Sequence, residues 1–598
     1  MNNNTNYTGA EIAVIGLSCR FPFAKNVREF WDNLKEGKEC ISFFTREELL
    51  EAGLDAETID SPNYVKARGY LQNKDTFDWK LFGYKPNEAK IMNPQTRILH
   101  ECIYEALENA GYAPGATKGN VGLYLGASNS APWESMGVLL NLRGEESGNS
   151  KYLRDRDFMS SRIAYNLNLK GPVCLYNTAC STSLVALHHA CRGLLTSDCK
   201  IAIVGGVGIN AYSKRGYQYD DGSIASTDGH CKAFSDEATG TVPGEGAGIV
   251  ILKRLKDAIE NKDNIQAIIR SSYVNNDGNA KIGFTAPSFE GQVKVIKRSQ
   301  LLANISPESI SFVETHGTGT KLGDAIEIQA LKEVFGTSNK KTCFLGSVKT
   351  NIGHLDAAAG IASVIKTILC LKHKQLPPTL HYNKPNAELD LDNSPFLINT
   401  TLKKIENSDH TFKAGVSSFG IGGTNAHIIL EEAPIAQIED YSKEFNILIL
   451  SAASKPALDI EVVNLKNFLA QNKSVNLTLV ANTLQCGRKN LPFKQAIVCN
   501  TAENAIEILN KHETGEKNFI QTDNNDKNIV FVFSGMGLVY HKICHELYLN
   551  DFLFSTKLND NCKIIENRTG INIQQYLFSS EKDFLKIFQN GYFIFEQF

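Results

Sequence analysis

The chain has 598 residues, 42% hydrophobic and 21% charged, which is the composition of a folded globular protein rather than a disordered or fibrous one. A net charge of −3 with a pI of about 6.5, and neither a basic stripe nor an acidic tract, argues against nucleic acid as a partner and against a charged, disordered tail. No apolar run is long enough to span a membrane, and Met1-Asn2-Asn3-Asn4-Thr5-Asn6-Tyr7 lacks the basic start and apolar core of a signal peptide.

The first strand is predicted at Ile12-Ala13-Val14-Ile15-Gly16-Leu17. From residue 11 to about 434, short β-branched runs alternate with longer helical patterns, the signature of a layered α/β fold. Val173-Cys174-Leu175-Tyr176 is a short apolar run, and Asn177-Thr178-Ala179-Cys180-Ser181-Thr182-Ser183 is a turn of small residues. Leu184, Leu187, His188, Cys191, Leu194 and Leu195 then recur at helical spacing. Cys180 therefore stands where a strand gives way to a helix, and the unpaired N–H groups and dipole there favour a thiolate. Ile201-Ala202-Ile203-Val204-Gly205-Gly206 and Gly248-Ile249-Val250-Ile251-Leu252 read as buried strands. Ala358 to Leu371 reads as a buried, alanine-rich helix.

Two histidines fall in polar, glycine-rich contexts: His316 in Glu314-Thr315-His316-Gly317-Thr318-Gly319-Thr320, and His354 in Lys349-Thr350-Asn351-Ile352-Gly353-His354. One cysteine with two such histidines points to acyl-thioester chemistry. His188 and His189, on the helix behind Cys180, read as packing residues, and so does His427. Gly205-Gly206-Val207-Gly208 and Gly244-Glu245-Gly246-Ala247-Gly248 read as tight turns rather than a nucleotide site, for neither gives GxGxxG in a strand-turn-helix setting. No metal is expected, because neither HExxH nor a Cys/His cluster is found. The 14 cysteines are scattered without a CxxC pair, which fits a reducing cytoplasm.

Several separated motifs then carry a resemblance. Asn177-Thr178-Ala179-Cys180-Ser181-Thr182-Ser183-Leu184, His316-Gly317-Thr318-Gly319-Thr320, Lys349-Thr350-Asn351-Ile352-Gly353-His354 and the loop from Gly415 to His427 together resemble a type I β-ketoacyl synthase, the condensing domain of modular polyketide synthases. Asn93-Pro94-Gln95-Thr96-Arg97 resembles that family's DPQxR motif. Asn93 and Asn177 both stand where Asp is more familiar. The resemblance implies a thiolase-like αβαβα sandwich of two related halves, working as a homodimer. It also implies a decarboxylative Claisen condensation in polyketide or fatty-acid-like assembly. Cys180 would hold the acyl group, His316 and His354 would stabilise the enolate, and Lys349 would support them electrostatically. The backbone N–H groups of Cys180 and Ile421 would form the oxyanion hole. No cofactor would be bound, since substrates ride on the phosphopantetheine of a separate acyl carrier protein. Neighbouring polyketide synthase or peptide synthetase modules would be further partners. A non-elongating synthase and a non-catalytic docking scaffold are the alternatives.

Residues 1–10 are expected to be disordered and 11–434 to form the synthase domain. Residues 435–528 resemble the small α/β linker domain that follows such synthases, with a helix carrying Leu458, Val462, Leu465, Phe468 and Leu469. Residues 529–598 resemble an incomplete acyltransferase start, with Phe533-Ser534-Gly535-Met536-Gly537 in place of that family's Phe-Pro-Gly-Gln-Gly-like loop. No GxSxG elbow occurs, so no transferase activity is expected of this piece. Its Phe552, Phe554, Phe593 and Phe595 are expected to be exposed.

Overall fold

The computed structural model describes residues 7–117, 119–143, 150–210, 214–338, 340–405, 411–435, 442–513, 520–521, 530, 544–580 and 582. The chain divides into two units, Met1–Asp523 and Asn524–Phe598. The first unit is built on an eleven-stranded sheet. Its strands in chain order are β1 (Ile12–Arg20), β2 (Val121–Ala127), β3 (Val173–Tyr176), β4 (Ile201–Gly208), β5 (Gly246–Arg254), β6 (Ala267–Asn276), β7 (Phe312–Glu314), β8 (Cys343–Gly346), β9 (Phe396–Ile398), β10 (Lys413–Phe419) and β11 (Thr424–Glu432). From edge to edge they run β9-β8-β7-β10-β11-β6-β1-β5-β4-β2-β3.

That order contains a repeat. Within β1 to β5 the strands lie third-second-fourth-fifth-first. The strands β6, β7, β8, β10 and β11 lie in the same order, with β9 added at one edge. The pairing senses repeat as well: β2 is parallel to β3 and β4, as β7 is to β8 and β10, while the remaining pairs in each half are antiparallel. The halves join through antiparallel β1 and β6, with Ile12 opposite Ile269 and Val14 opposite Ala267.

Five helices complete the layers: α1 (Pro94–Asn109), α2 (Thr182–Leu195), α3 (Phe289–Ala303), α4 (Lys321–Phe335) and α5 (Ala359–His373). Alternate residues of β1 serve different cores. Ile12 and Val14 pack in one cluster with Leu184 and Leu187 of α2 and Ile361 and Ile365 of α5. Ala13 and Ile15 pack with Ile98, Cys102 and Ile103 of α1. Val295 and Ile296 of α3 and Ile328 and Leu331 of α4 cover the outer face of the second half. Both sheet faces are thus buried, so these strands read as continuous apolar runs rather than alternating ones. The result is the layered α/β sandwich, with α2 and α5 as its central layer.

Each central helix follows the third strand of its half, so the segments Asn177–Ser181 and Ser347–Ala358 emerge on related sides of the same core. Gly205, Gly206 and Gly208 lie inside β4 and not in turns; a Cβ on Gly205 would fall 2.1 Å from the carbonyl oxygen of Gly248. Close approach of two strand backbones is what these glycines permit.

After β11 comes a small three-stranded sheet containing Asn446–Ala452 and Phe493–Cys499, packed with the helices Lys455–Gln471, Leu477–Cys486 and Ala502–Glu513. Leu458, Val462, Leu465 and Leu469 are buried there, but Phe468 is exposed. The second unit contains the helices His545–Asn550, Phe552–Thr569 and Ile573–Leu577. Phe552 is exposed and Phe554 partly buried, whereas Phe593, Phe595 and the segment from Phe533 to Gly537 lie outside the described residues. Among the described residues no helix is long and apolar enough to cross a membrane.

Candidate active site

Cys180 occupies a sharp turn between β3 and α2. Ala179 carries the strain, with φ at 54° in the left-handed region. Short hydroxyl side chains hold the turn. Thr182 Oγ1 accepts from the Thr178 N–H at 2.8 Å and donates to the Ala179 carbonyl at 2.6 Å. Ser181 Oγ donates to the Thr178 carbonyl at 3.0 Å, and Ser418 Oγ to the Cys180 carbonyl at 2.8 Å. Asn177 Oδ1 accepts from the Ala179 N–H at 3.3 Å, a bond that Asp would also make. Asn93 differs. It caps α1 through Oδ1, but its Nδ2 donates to Ser130 Oγ at 2.8 Å and to the Arg154 carbonyl at 3.3 Å. A carboxylate has no N–H for those bonds.

His316 follows β7 on a loop clamped by α4. Both oxygens of Glu327 are used, accepting the backbone N–H groups of His316 at 2.8 Å and Gly317 at 2.9 Å. Asp324 accepts from Gly319 N–H at 3.2 Å and from Phe234 N–H at 2.7 Å. Sequence reasoning missed both acids. The only sign was a pair of carboxylates in the first turns of a helix that starts one residue after the motif. Burial pushes the Asp324 carboxyl up to about 7 and raises that of Glu327.

His354 is delivered by Gly353, whose φ is 75°, and its N–H donates to the Val242 carbonyl at 2.7 Å. Lys349 is fully buried between these loops. Burial lowers its pKa, and Glu314, Glu327 and Cys180 act against that.

The structure brings the three sequence-predicted side chains together. The Cys180 sulfur and a ring nitrogen from each of His316 and His354 all lie within 4.8 Å of one another. The two rings are perpendicular, with centroids 5.7 Å apart. A cavity of about 100 Å³ opens onto them, lined also by Phe419 and Ile421 and by polar Thr318, Thr320, Gln292 and Asn425.

Burial decides the electrostatics of this cavity. It pushes the Cys180 thiol up to about 11, with Asp356 adding to the shift. The backbone N–H groups of Ile421 and of Cys180 itself, together with Lys349, pull the other way and do not win. The thiolate expected from the helix start is therefore not the resting form. Burial likewise holds His354 down to about 3 and His316 well below the ordinary histidine value, so both are neutral. A neutral imidazole offers an N–H to an acceptor rather than a positive charge.

His188, His189 and His427 are placed as packing residues. His188 bonds Ser272 Oγ at 2.9 Å, His189 stacks on Tyr176, and buried His427 bonds Ser417 Oγ at 3.0 Å. A second set close enough to ligate a metal is Glu39, His230 and His381.

Comparison with known proteins agrees along most of the chain. Residues 10–258 match the family Beta-ketoacyl synthase, N-terminal domain; residues 266–383 match Beta-ketoacyl synthase, C-terminal domain; and residues 446–509 match CurL-like, PKS C-terminal. The chain is 39% identical over 600 residues to a component of the phenolphthiocerol/phthiocerol polyketide synthase of Mycobacterium tuberculosis, covering 95% of this chain and 40% of that one. It is 40% identical over 517 residues to polyketide synthase PksL of Bacillus subtilis, covering 84% of this chain and 11% of that one. It thus spans about two fifths or less of these relatives. Among solved structures, ketosynthase twelve from the bacillaene polyketide synthase of Bacillus amyloliquefaciens superposes with a TM-score of 0.79 at 36% identity, covering 86% of this chain and 91% of that one. The ketosynthase from module 6 of the bacillaene synthase of Bacillus subtilis gives 0.73 at 38% identity, covering 85% and 86%. The chain belongs to the β-ketoacyl synthase family, in the form of a polyketide synthase ketosynthase.

Proposed function

We propose that this chain catalyses decarboxylative condensation of a Cys180-bound acyl group with a malonyl-type thioester carried on the phosphopantetheine of an acyl carrier protein. The observation that carries this reading is the convergence of one thiol and two neutral imidazoles on a single cavity.

In the first half-reaction Cys180 Sγ attacks the incoming acyl thioester, and the pantetheine sulfur leaves with the proton. Cys180 reacts as the thiolate, the minor form of a thiol held at about 11, and the proton it gives up ends on the leaving pantetheine sulfur. The tetrahedral oxyanion faces the N–H groups of Cys180 and Ile421, the groups that already lower the Cys180 pKa. In the second half-reaction the malonyl thioester enters and loses CO₂, leaving an enolate. His316 and His354 donate N–H bonds to its thioester oxygen. The enolate carbon then attacks the acyl carbonyl, and the C–S bond to Cys180 breaks to release a β-ketoacyl carrier product. Lys349 supports the histidine loops and the sulfur electrostatically.

We further assign residues 11–434 to the synthase domain, 435–528 to a linker domain and 529–598 to an acyltransferase-like fragment. A homodimer in a reducing cytoplasm is part of the same reading. It is supported by the edge position of β3, where Val173 is exposed, and by the absence of disulfides among the described cysteines.

The test is to incubate the protein with an acyl thioester, read peptide mass for an adduct on Cys180, and then add malonyl-loaded carrier protein. An adduct followed by a β-ketoacyl carrier product is expected. An adduct without product would show a transferring synthase, and no adduct would show a scaffold.

A further inference from the structure

Glu39, His230 and His381 come from distant parts of the chain, with Glu39 separated from the two histidines by 191 and 342 residues. Folding nonetheless places His230 Nδ1 at 2.7 Å and His381 Nε2 at 2.9 Å from one oxygen, Glu39 Oε1. The two rings lie 4.8 Å apart, centroid to centroid. All three side chains are partly buried, with 21%, 31% and 26% exposure for Glu39, His230 and His381. Water reaches them, yet their positions are fixed. His230 is set by its N–H bond to Asp228 Oδ1 at 3.1 Å and by the Phe43 ring 5.1 Å away. His381 is presented from a left-handed backbone, φ 58°.

We propose that Glu39, His230 and His381 form a binding site for a zinc-type divalent cation, separate from the catalytic cavity. Two imidazoles and one carboxylate make the borderline donor set that zinc accepts, at ~2.0–2.2 Å from each atom. Tetrahedral ligands at that range stand about 3.3 Å from one another. The observed separations of 2.7 and 2.9 Å therefore need to open by only roughly half an ångström. No net proton is lost from a neutral ring. Each imidazole moves its N–H to the far nitrogen, Nε2 in His230 and Nδ1 in His381, and the near lone pair takes the metal. Solvent supplies the remaining coordination.

The location gives the cation a structural task. Cys40, next to Glu39, donates its N–H to the Asn351 carbonyl at 2.6 Å, and Asn351 Nδ2 donates to the Lys38 carbonyl at 3.1 Å. Leu380, next to His381, donates its N–H to Thr350 Oγ1 at 3.1 Å. Cys231, next to His230, has its sulfur 3.5 Å from the Thr318 carbonyl. Every ligand is thus one residue from a contact with a loop that carries His316 or His354. A bound cation clips the three segments together behind those loops.

The experiment is done on the full chain carrying Cys180→Ala, which removes the thiol of the other candidate ligand set among the described residues. Zinc is titrated against a chromophoric chelator, and cobalt is added separately for its absorption spectrum. One zinc per chain with a dissociation constant in the micromolar range or tighter is expected, weakened at least tenfold in His230→Ala and in His381→Ala. Cobalt bound to nitrogen and oxygen ligands is expected to show visible bands without a near-ultraviolet thiolate band. No stoichiometric zinc, unchanged affinity in both histidine variants, or a thiolate band in the cobalt protein would each overturn the site. The cobalt spectrum uses the intact cluster, so it decides even if an alanine variant misfolds. It decides independently of whether the chain condenses acyl groups.

Discussion

The backbone N–H of Asp356 donates to Nδ1 of His354 at 3.0 Å, which leaves the ring's own proton on Nε2. His354 is thereby fixed as a donor tautomer before any substrate arrives. His316 has its Nδ1 buried without a hydrogen-bond partner, and its backbone is locked by Glu327. Replacing either histidine with Ala is expected to slow decarboxylation by about 10²–10³, the usual cost of losing one donor to a developing oxyanion. Acylation of Cys180 should be largely retained. Parallel assays of CO₂ release and adduct mass check this, and equal loss of both would contradict the division of labour.

The raised thiol gives a pH signature. With its pKa at about 11, Cys180 is a neutral thiol at physiological pH, and roughly one in a thousand is ionised at pH 8. Iodoacetamide should therefore alkylate it faster by about tenfold per pH unit through the alkaline range. Lys349→Ala removes a positive charge that favours the thiolate, so it should slow alkylation at any fixed pH in that range. Peptide mass after timed quenching measures both, and a rate that levels off below pH 8 would contradict the burial effect.

Gly420 sits under the Cys180 turn. A Cβ there would come within 2.4 Å of the Thr178 carbonyl oxygen and 2.9 Å of Ser181 Oγ. Gly420→Ala is expected to cost about 1–3 kcal/mol by overpacking and to displace the neighbouring Ile421 N–H. Denaturant melts and the acylation rate check it; a variant of full stability and rate would show that the turn tolerates the shift.

Lys366 Nζ lies 2.7 Å from Glu314 Oε2, and the two side chains are 1% and 0% exposed. Glu314 also accepts the Val348 N–H at 2.6 Å, so it links the strand before His316 to the segment before Lys349. Lys366→Met leaves that carboxylate buried and is expected to cost about 3–5 kcal/mol. Lys366→Met with Glu314→Gln should recover part of the loss. Urea unfolding of the wild type, single and double variants measures this.

Much of the site could be read from the chain because its parts are local. The turn around Cys180 and the glycine-flanked His316 and His354 each sit in a short segment with its own logic, and the Ala359–His373 helix is apolar on most sides. What escaped was non-local. The two related halves were expected only through the resemblance, because shared strand order and pairing sense leave no period in the apolar pattern. Asp324 and Glu327 look like surface acids of a helix until the loop folds back onto them. Glu39, His230 and His381 have no motif, since their separation along the chain exceeds any ligand spacing. The thiolate at Cys180 failed for another reason. The helix start was visible, but how deeply the sulfur would be buried was not, and burial outweighs the N–H groups there.

The most direct measurement uses a carboxyl-labelled malonyl carrier thioester with protein pre-acylated on Cys180, counting released CO₂ against β-ketoacyl carrier product. One CO₂ for each new carbon–carbon bond, with no product from Cys180→Ala, is the predicted result. Product formed by Cys180→Ala, or CO₂ released by the pre-acylated protein with no product, would contradict condensation at this site.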